Sequence, residues 1–299
     1  MGGAAPSKIF NPVKDLPSMK GKVVLVTGSS SGIGFASLQH FLRMGAKVYM
    51  AVPDEERTKA ALQRVESEGR EPGLGEVIWH ELDLKDPRDA KASAARFLGK
   101  ESRLDILGGY LGPFVFTKTL LPLLESTAAY GDDVRIVNVG SYGHKDVSYV
   151  DYSSREAWNY NFKRTILPPL ERYKYSKLAV HLWTNNLAKR LTAQGSKVVL
   201  LLVHPGAILS DGAIRSLKTL PFPRFWIWLL GTMMYPQDQG AFTTIFAACA
   251  PRDNPEISHG GYIIPPNVAG IQASIALDEE RQKSLFEVTE MLLRQAALD

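Results

Sequence analysis

Apolar and polar positions alternate along the chain between short, continuous apolar runs and longer amphipathic stretches. Residues 22–27 read Lys-Val-Val-Leu-Val-Thr, an apolar run without internal polar alternation, as in a strand buried on both faces. Glycines and serines follow in Gly28-Ser-Ser-Ser-Gly32-Ile-Gly34. Ile33, Leu38, Phe41 and Leu42 then recur at helical spacing until Gly45 ends the helix. The apolar segment 46–52 closes a β-α-β unit of ordinary length. The alternation continues with a helix after Asp54 that has an acidic first turn, the loop 71–75, a strand at 76–80, a helix at 90–100 and a strand opening at 104–107. A strand at 134–141 precedes a long helix, 170–191, started by Pro168-Pro169, and then a fully apolar strand at 197–203. A helix at 236–249, a last strand at 261–264 and an amphipathic helix at 277–298 complete the chain. Strands alternating with helices predict an α/β fold with a doubly wound parallel sheet. With no repeats and no Ser/Gly linker, one domain is expected over 19–299, after an N-terminal arm at 1–18.

Composition narrows the class. Apolar residues at 45% and charged residues at 22% are ordinary for a globular chain of 299 residues. The net charge of +4 comes without a Lys/Arg cluster, which argues against a nucleic-acid partner. A single cysteine, Cys249, excludes an internal disulfide and lies in an apolar run where burial is expected. No metal-ligating set stands out. The most apolar stretch, 225–235, is shorter than the roughly 20 residues a membrane span needs. Residues 1–17 lack the form of a secretory signal, and Pro6 stands where a myristoylation motif wants Ser or Thr. A cytoplasmic protein is expected, with at most weak membrane-surface contact.

The turn at 28–34 has the makings of an anion site. A helix N-terminus presents unpaired backbone N–H groups and a positive dipole end, and glycine lets a pyrophosphate approach the backbone. A tight structural turn is the plain alternative for the glycines taken alone. The spacing is Thr27-Gly28-x-x-x-Gly32-Ile33-Gly34 directly after a strand, followed far downstream by Tyr173-Lys-Tyr-Ser-Lys177 and His204-Pro-Gly-Ala-Ile-Leu-Ser210. This set resembles the short-chain dehydrogenases/reductases over nearly the whole chain, and most of all their retinol-dehydrogenase-like branch, including members from fungal secondary metabolism. The resemblance implies a Rossmann fold and a homo-oligomer. It also implies cofactor contacts from Gly28, Ser30, Gly32, Ile33 and Gly34, with Asp83 bonding the adenine amine and Leu84 packing on its ring. A helix N-cap before Pro87 is the alternative for Asp83 by itself. Pro205, Gly206, Ile208 and Ser210 would hold the nicotinamide.

Ser141 aligns with the family's catalytic serine, and Gly140 replaces the serine that usually precedes it. Tyr173 and Lys177, four residues apart, share a helix face; the resemblance gives them the catalytic roles and a share in holding the cofactor. Between Ser141 and this helix lies a segment rich in aromatics, Tyr149, Tyr152, Trp158, Tyr160 and Phe162. So many rings are unfavourable in an ordinary exposed loop. Residues 211–236 read as a substrate lid, with Trp226, Trp228, Leu229, Leu230 and Met233 as an apolar cover. The chain departs from the family after Leu107. An Asn-Asn-Ala-Gly element and the loop behind it are absent, Gly109 lies where the family's helix-kinking Asn would be, and residues 112–117 resemble the start of that helix. In the family this Asn holds a water linking the lysine to solvent.

Free tyrosine, with a pKa near 10, is a poor base at neutral pH. A cationic Lys177 on the same face favours the phenolate, and Ser141 can hydrogen-bond the substrate oxygen. The expected reaction is hydride transfer between a nicotinamide and a small apolar alcohol or ketone. NADP is the expected cofactor, from the habit of the resembling branch, with Arg57 or Lys59 to meet a 2′-phosphate and NAD left open. The competing reading is a catalytically impaired or non-redox relative: a nucleotide-binding regulator, or a protein of the isomerase or dehydratase type.

Overall fold

In a computed structural model, residues 10–109, 114–208, 214, 218 and 222–298 are described. The strands are β1 (Val23–Thr27), β2 (Lys47–Val52), β3 (Glu76–Glu81), β4 (Ile106–Gly109), β5 (Arg135–Val139), β6 (Val199–Val203), β7 (Tyr262–Ile264) and β8 (Val268–Ala269). They form one sheet in the order β3-β2-β1-β4-β5-β6-β7-β8. Neighbours pair in parallel up to β7, and β8 closes the edge antiparallel to β7. This is the doubly wound parallel α/β sheet expected from the alternation of elements.

The helices are α1 (Pro12–Asp15), α2 (Gly32–Arg43), α3 (Glu55–Glu68), α4 (Pro87–Leu98), α5 (Phe114–Ala129), α6 (Arg155–Trp158), α7 (Pro168–Ala193), α8 (Pro223–Met233), α9 (Gln237–Gly240), α10 (Phe242–Cys249), α11 (Ser274–Leu277) and α12 (Glu279–Gln295). They cover both faces of the sheet, which is why its strands carry continuous apolar runs. Along β1, Val24 and Val26 join the cluster that α2, α3 and α10 complete. Val23 and Leu25 point into the cluster under α4, α5 and α7. Fully burying one such side chain stabilises by roughly 1.5–3 kcal/mol, so the sheet core dominates the fold. Cys249 is buried as expected, and burial pushes its thiol up to about 12.

Several local outcomes differ from the sequence reading. Gly109 is the last residue of β4, registered between Thr27 and Asn138, and not a helix residue. Helix α5 begins at Phe114, while residues 110–113, which include the expected helix start at Gly112, lie outside the described residues. Strand β8 was not foreseen: two residues after the Pro265-Pro266-Asn267 turn are too few for a period-2 signal. The short α1 docks Phe10 edge-on against Phe242 and Phe246. No helix among the described residues is long and apolar enough to cross a membrane.

The Gly-rich turn owes its shape to a close approach at Gly34. A Cβ built there would lie 2.5 Å from the Gly28 carbonyl oxygen and 2.9 Å from its carbon. Both are backbone atoms that cannot swing aside, so α2 sits directly on the end of β1. Gly34→Ala is expected to destabilise the fold by roughly 1–3 kcal/mol through overpacking, read from urea unfolding. A loss below about 0.5 kcal/mol would mean that the turn tolerates a side chain there.

Candidate active site

The C-terminal ends of β1, β4, β5 and β6 form one edge of the sheet, and the sequence-predicted residues gather along it. At the end of β1, Gly28 and Gly32 have positive φ values of 64° and 58°. A Cβ at Gly32 would find nothing within 4 Å, so there is room over the turn. The Ser29 hydroxyl donates to the Val26 carbonyl at 2.8 Å, Ser30 is half-buried at the lip, and Ile33 is buried beneath it. Helices α3, α4 and α12 are capped by Asp54, Asp86 and Asp278, whereas Ser31 makes no side-chain cap bond to α2. The buried Thr27 hydroxyl also has no hydrogen-bond partner among the described residues. Space over the glycine turn and a helix start without a side-chain cap from Ser31 suit a dinucleotide pyrophosphate.

Asp83 does not cap α4; Asp86 does. Asp83 accepts from the Lys85 N–H at 2.9 Å, a local turn that holds Leu84 against the core below. At the far end, Pro205 is buried and Gly206 has a φ of 90°. Ile208 is pinned under α9, where a Cβ on Gly240 would meet its Cγ1 at 2.8 Å. Ser210 lies outside the described residues, as does much of the expected lid. The part of the lid that is described, α8, leaves Trp228 65% exposed and Phe225 51% exposed, so these rings face outward more than they cover.

Ser141, Tyr173 and Lys177 come together. Ser141 follows β5 and caps the 3-10 turn Tyr142–Lys145, its Oγ accepting from the Gly143 N–H at 3.1 Å. Tyr173, on the first turns of α7, is 41% exposed. A point over Gly143, where a Cβ would stand, is 3.5 Å from Ser141 Oγ and 3.6 Å from Tyr173 Cε1. Lys177 is buried behind them, its Nζ 5.8 Å from the Tyr173 ring centroid and donating to the Val139 carbonyl at 2.8 Å. Burial pushes the Lys177 ammonium down to about 8, while the carbonyl it bonds favours the charged form.

Three histidines stand behind Ser141, and the sequence reading missed them. His144 and His181 stack at 3.7 Å, and His204 packs 4.1 Å from the Tyr142 ring. Burial holds all three below the ordinary imidazole range, with His204 at about 4 and His181 at about 3. Their only sequence signal was the His-Pro-Gly triplet, since the other two come from separate elements. In the aromatic segment before α7, Tyr152 and Phe162 are buried as its composition suggested, whereas Trp158 and Tyr160 remain exposed. Tyr152 stacks on Tyr175 at 4.5 Å, Tyr149 on Tyr160 at 4.2 Å, and Phe162 is buried.

A cavity of about 610 Å³ opens beside this edge, between α5, α7 and α12 and over the end of β1. Gly28, Leu84, Phe114, Tyr152, Tyr175 and Trp183 are among its walls. None of Ser141, Tyr173 and Lys177 lines it; on α7 it meets the face of Arg172, Ser176 and Ala179 instead.

Comparison with known proteins gives the family. The short chain dehydrogenase family model matches residues 22–109, ending at the last residue of β4. A short-chain dehydrogenase/reductase of Armillaria gallica is 37% identical over 322 aligned positions covering 99% of each chain. That alignment is longer than this chain, so the relative carries residues without a counterpart here. Human retinol dehydrogenase 14 is 31% identical, over 92% of this chain and 87% of its own. Among solved structures, the Pseudomonas aeruginosa RhlG/NADP active-site complex has the same fold, with a TM-score of 0.61 and 22% identity over 83% of this chain and 96% of that one. The chain belongs to the short-chain dehydrogenase/reductase family of oxidoreductases, in its retinol-dehydrogenase-like branch.

Proposed function

We propose that this protein interconverts a small apolar alcohol and its ketone using NADP(H), and that Ser141, Tyr173 and Lys177 perform the proton chemistry. The observation carrying the reading is the convergence of Ser141 Oγ and the Tyr173 ring over Gly143 with the Lys177 ammonium buried behind. Gly28, Ser30, Gly32, Ile33 and Gly34 would hold the pyrophosphate, Asp83 and Leu84 the adenine, and Pro205, Gly206, Ile208 and Ser210 the nicotinamide side. The bound cofactor supplies or accepts the hydride. The accessible Tyr173 hydroxyl gives or takes the proton at the substrate oxygen. Ser141 Oγ already accepts the Gly143 N–H, which leaves its own hydrogen for that oxygen. Lys177 stabilises the phenolate while it is charged, support that weakens as pH rises through about 8.

The aromatic cluster before α7 supports an apolar substrate. A place in secondary metabolism and a cytoplasmic homo-oligomer accompany the reading. A second reading, a relative that binds nucleotide with little turnover, is favoured by Gly109 ending β4 in place of a helix Asn.

Two measurements check this. Tyr173→Phe removes only the hydroxyl, so cofactor binding by calorimetry should persist while kcat on apolar ketones falls at least ~10²-fold. Unchanged turnover would remove Tyr173 from the chemistry. Arg57, paired with Asp54 at 3.1 Å just beyond β2, is the cation proposed to meet the 2′-phosphate. Arg57→Ala should raise KM for NADPH by about tenfold and leave KM for NADH unchanged; equal effects on both would exclude phosphate recognition there.

A further inference from the structure

We propose that the stacked imidazoles of His144 and His181 are positioning residues for Ser141, and that residue 140 is glycine because His181 fills the space of a side chain there. The proposal rests on the reading of Ser141 given above. Its geometry stands apart from that reading.

The hydrogen bonds determine both tautomers. His144 Nε2 accepts from the Ala273 backbone N–H at 3.0 Å, and an N–H cannot accept in return. The ring proton of His144 therefore sits on Nδ1, which donates to the Ser141 carbonyl at 2.6 Å. His181 Nδ1 faces Gln272 Oε1 at 2.9 Å, and the same oxygen accepts from Asn185 Nδ2 at 3.0 Å. Gln272 Nε2 in turn donates to Asn185 Oδ1 at 3.1 Å, which closes the amide pair and leaves Nδ1 the donor on His181. His181 Nε2 then carries a bare lone pair, and it is buried without a partner. A Cβ on residue 140 would lie 2.5 Å from this nitrogen and 3.1 Å from Cδ2, so the ring lies directly over the Gly140 Cα.

These contacts hold Ser141 from two sides. Its carbonyl is bonded by His144, and its Oγ accepts from Gly143. Both rings are clasped by consecutive residues of one distant segment, Ala273 through its backbone and Gln272 through its side chain. The segment 272–273 thus sets the serine through the stack without touching substrate. Only the neutral rings allow this. A proton on His144 Nε2 would face the Ala273 N–H, and one on His181 Nε2 would face the Gly140 backbone. The surrounding groups favour neutrality: Lys145 on the 3-10 turn, Lys177 on α7 and His204 after β6 act against added charge, and Tyr262 of β7 packs edge-on against both rings. Among the described residues no carboxylate hydrogen-bonds either ring.

The test compares the full-length parent with His144→Phe, His144→Asn, Gly140→Ser, and Gly140→Ser combined with His181→Ala. The measurements are kcat and KM across pH on apolar ketones with NADPH, thermal unfolding, and ¹⁵N NMR of the imidazoles. His144→Phe keeps the stack and loses both bonds, so kcat should fall about tenfold or more with cofactor affinity unchanged. His144→Asn restores a side-chain N–H toward the Ser141 carbonyl and should recover most of that loss. The acid limb of the parent kcat profile, placed below the ordinary imidazole range, should move in His144→Asn. Gly140→Ser should lower both stability and kcat, and removing the His181 ring should restore stability while kcat stays low, because the stack on His144 is lost. NMR should show the proton on Nδ1 of both rings in the parent. Retention of kcat within about twofold in His144→Phe, a proton on His144 Nε2, or a Gly140→Ser variant as stable as the parent would overturn the proposal. A parent inactive on every ketone would overturn the reading of the reaction, while the tautomers and the stability pair would still decide the geometry.

Discussion

The bond from the Lys177 ammonium to the Val139 carbonyl is the contact on which the edge of the sheet depends. A lysine only 1% exposed is costly to bury charged, by several kcal/mol before compensation. That cost is offset only if the charge meets a fixed oxygen. Val139 ends β5, and β5 lies between β4 and β6 in the middle of the sheet, so the oxygen cannot drift. The bond pins α7 to the strand end one turn below Tyr173 and two residues before Ser141. The phenol and the serine hydroxyl then share one small volume over Gly143 as a consequence of packing. Chain geometry alone, with the two residues on a strand end and a helix, would not bring them together.

Much of this was legible in the sequence because it is local. Residues 22–27 read as a doubly buried strand, and its side chains do alternate between the two cores. Tyr173 and Lys177 at i and i+4 on a helix needed only the helix to be right. The turn at 28–34 was placed correctly, but the work of Gly34 was not visible: it is a steric requirement set by the Gly28 backbone across the turn. Asp83 and Asp86 are both acids ahead of Pro87, and only coordinates separate the turn residue from the cap. Gly109 stands where the resemblance would put a helix-kinking Asn, and pairing with β1 and β5 makes it the end of a strand.

The histidine pair was illegible for another reason. His144 and His181 lie on different elements, and their clasps at Ala273 and Gln272 come 129 and 91 residues later. No period or motif joins such positions. Gly140 carried a faint trace, a glycine where the family resemblance implies a serine, whose meaning appears only once the His181 ring is seen above it. Where α5 begins at Phe114, the space beside α7 over the end of β1 is a cavity walled by aromatic rings.

The central claim is that this edge transfers hydride. The most direct measurement is incubation of the purified protein with NADPH deuterated at nicotinamide C4 and an apolar ketone, followed by mass spectrometry of the alcohol. The account predicts deuterium at the carbinol carbon from one of the two C4 positions only. An alcohol free of label, or no alcohol at all from protein that calorimetry shows to be saturated with cofactor, would contradict it.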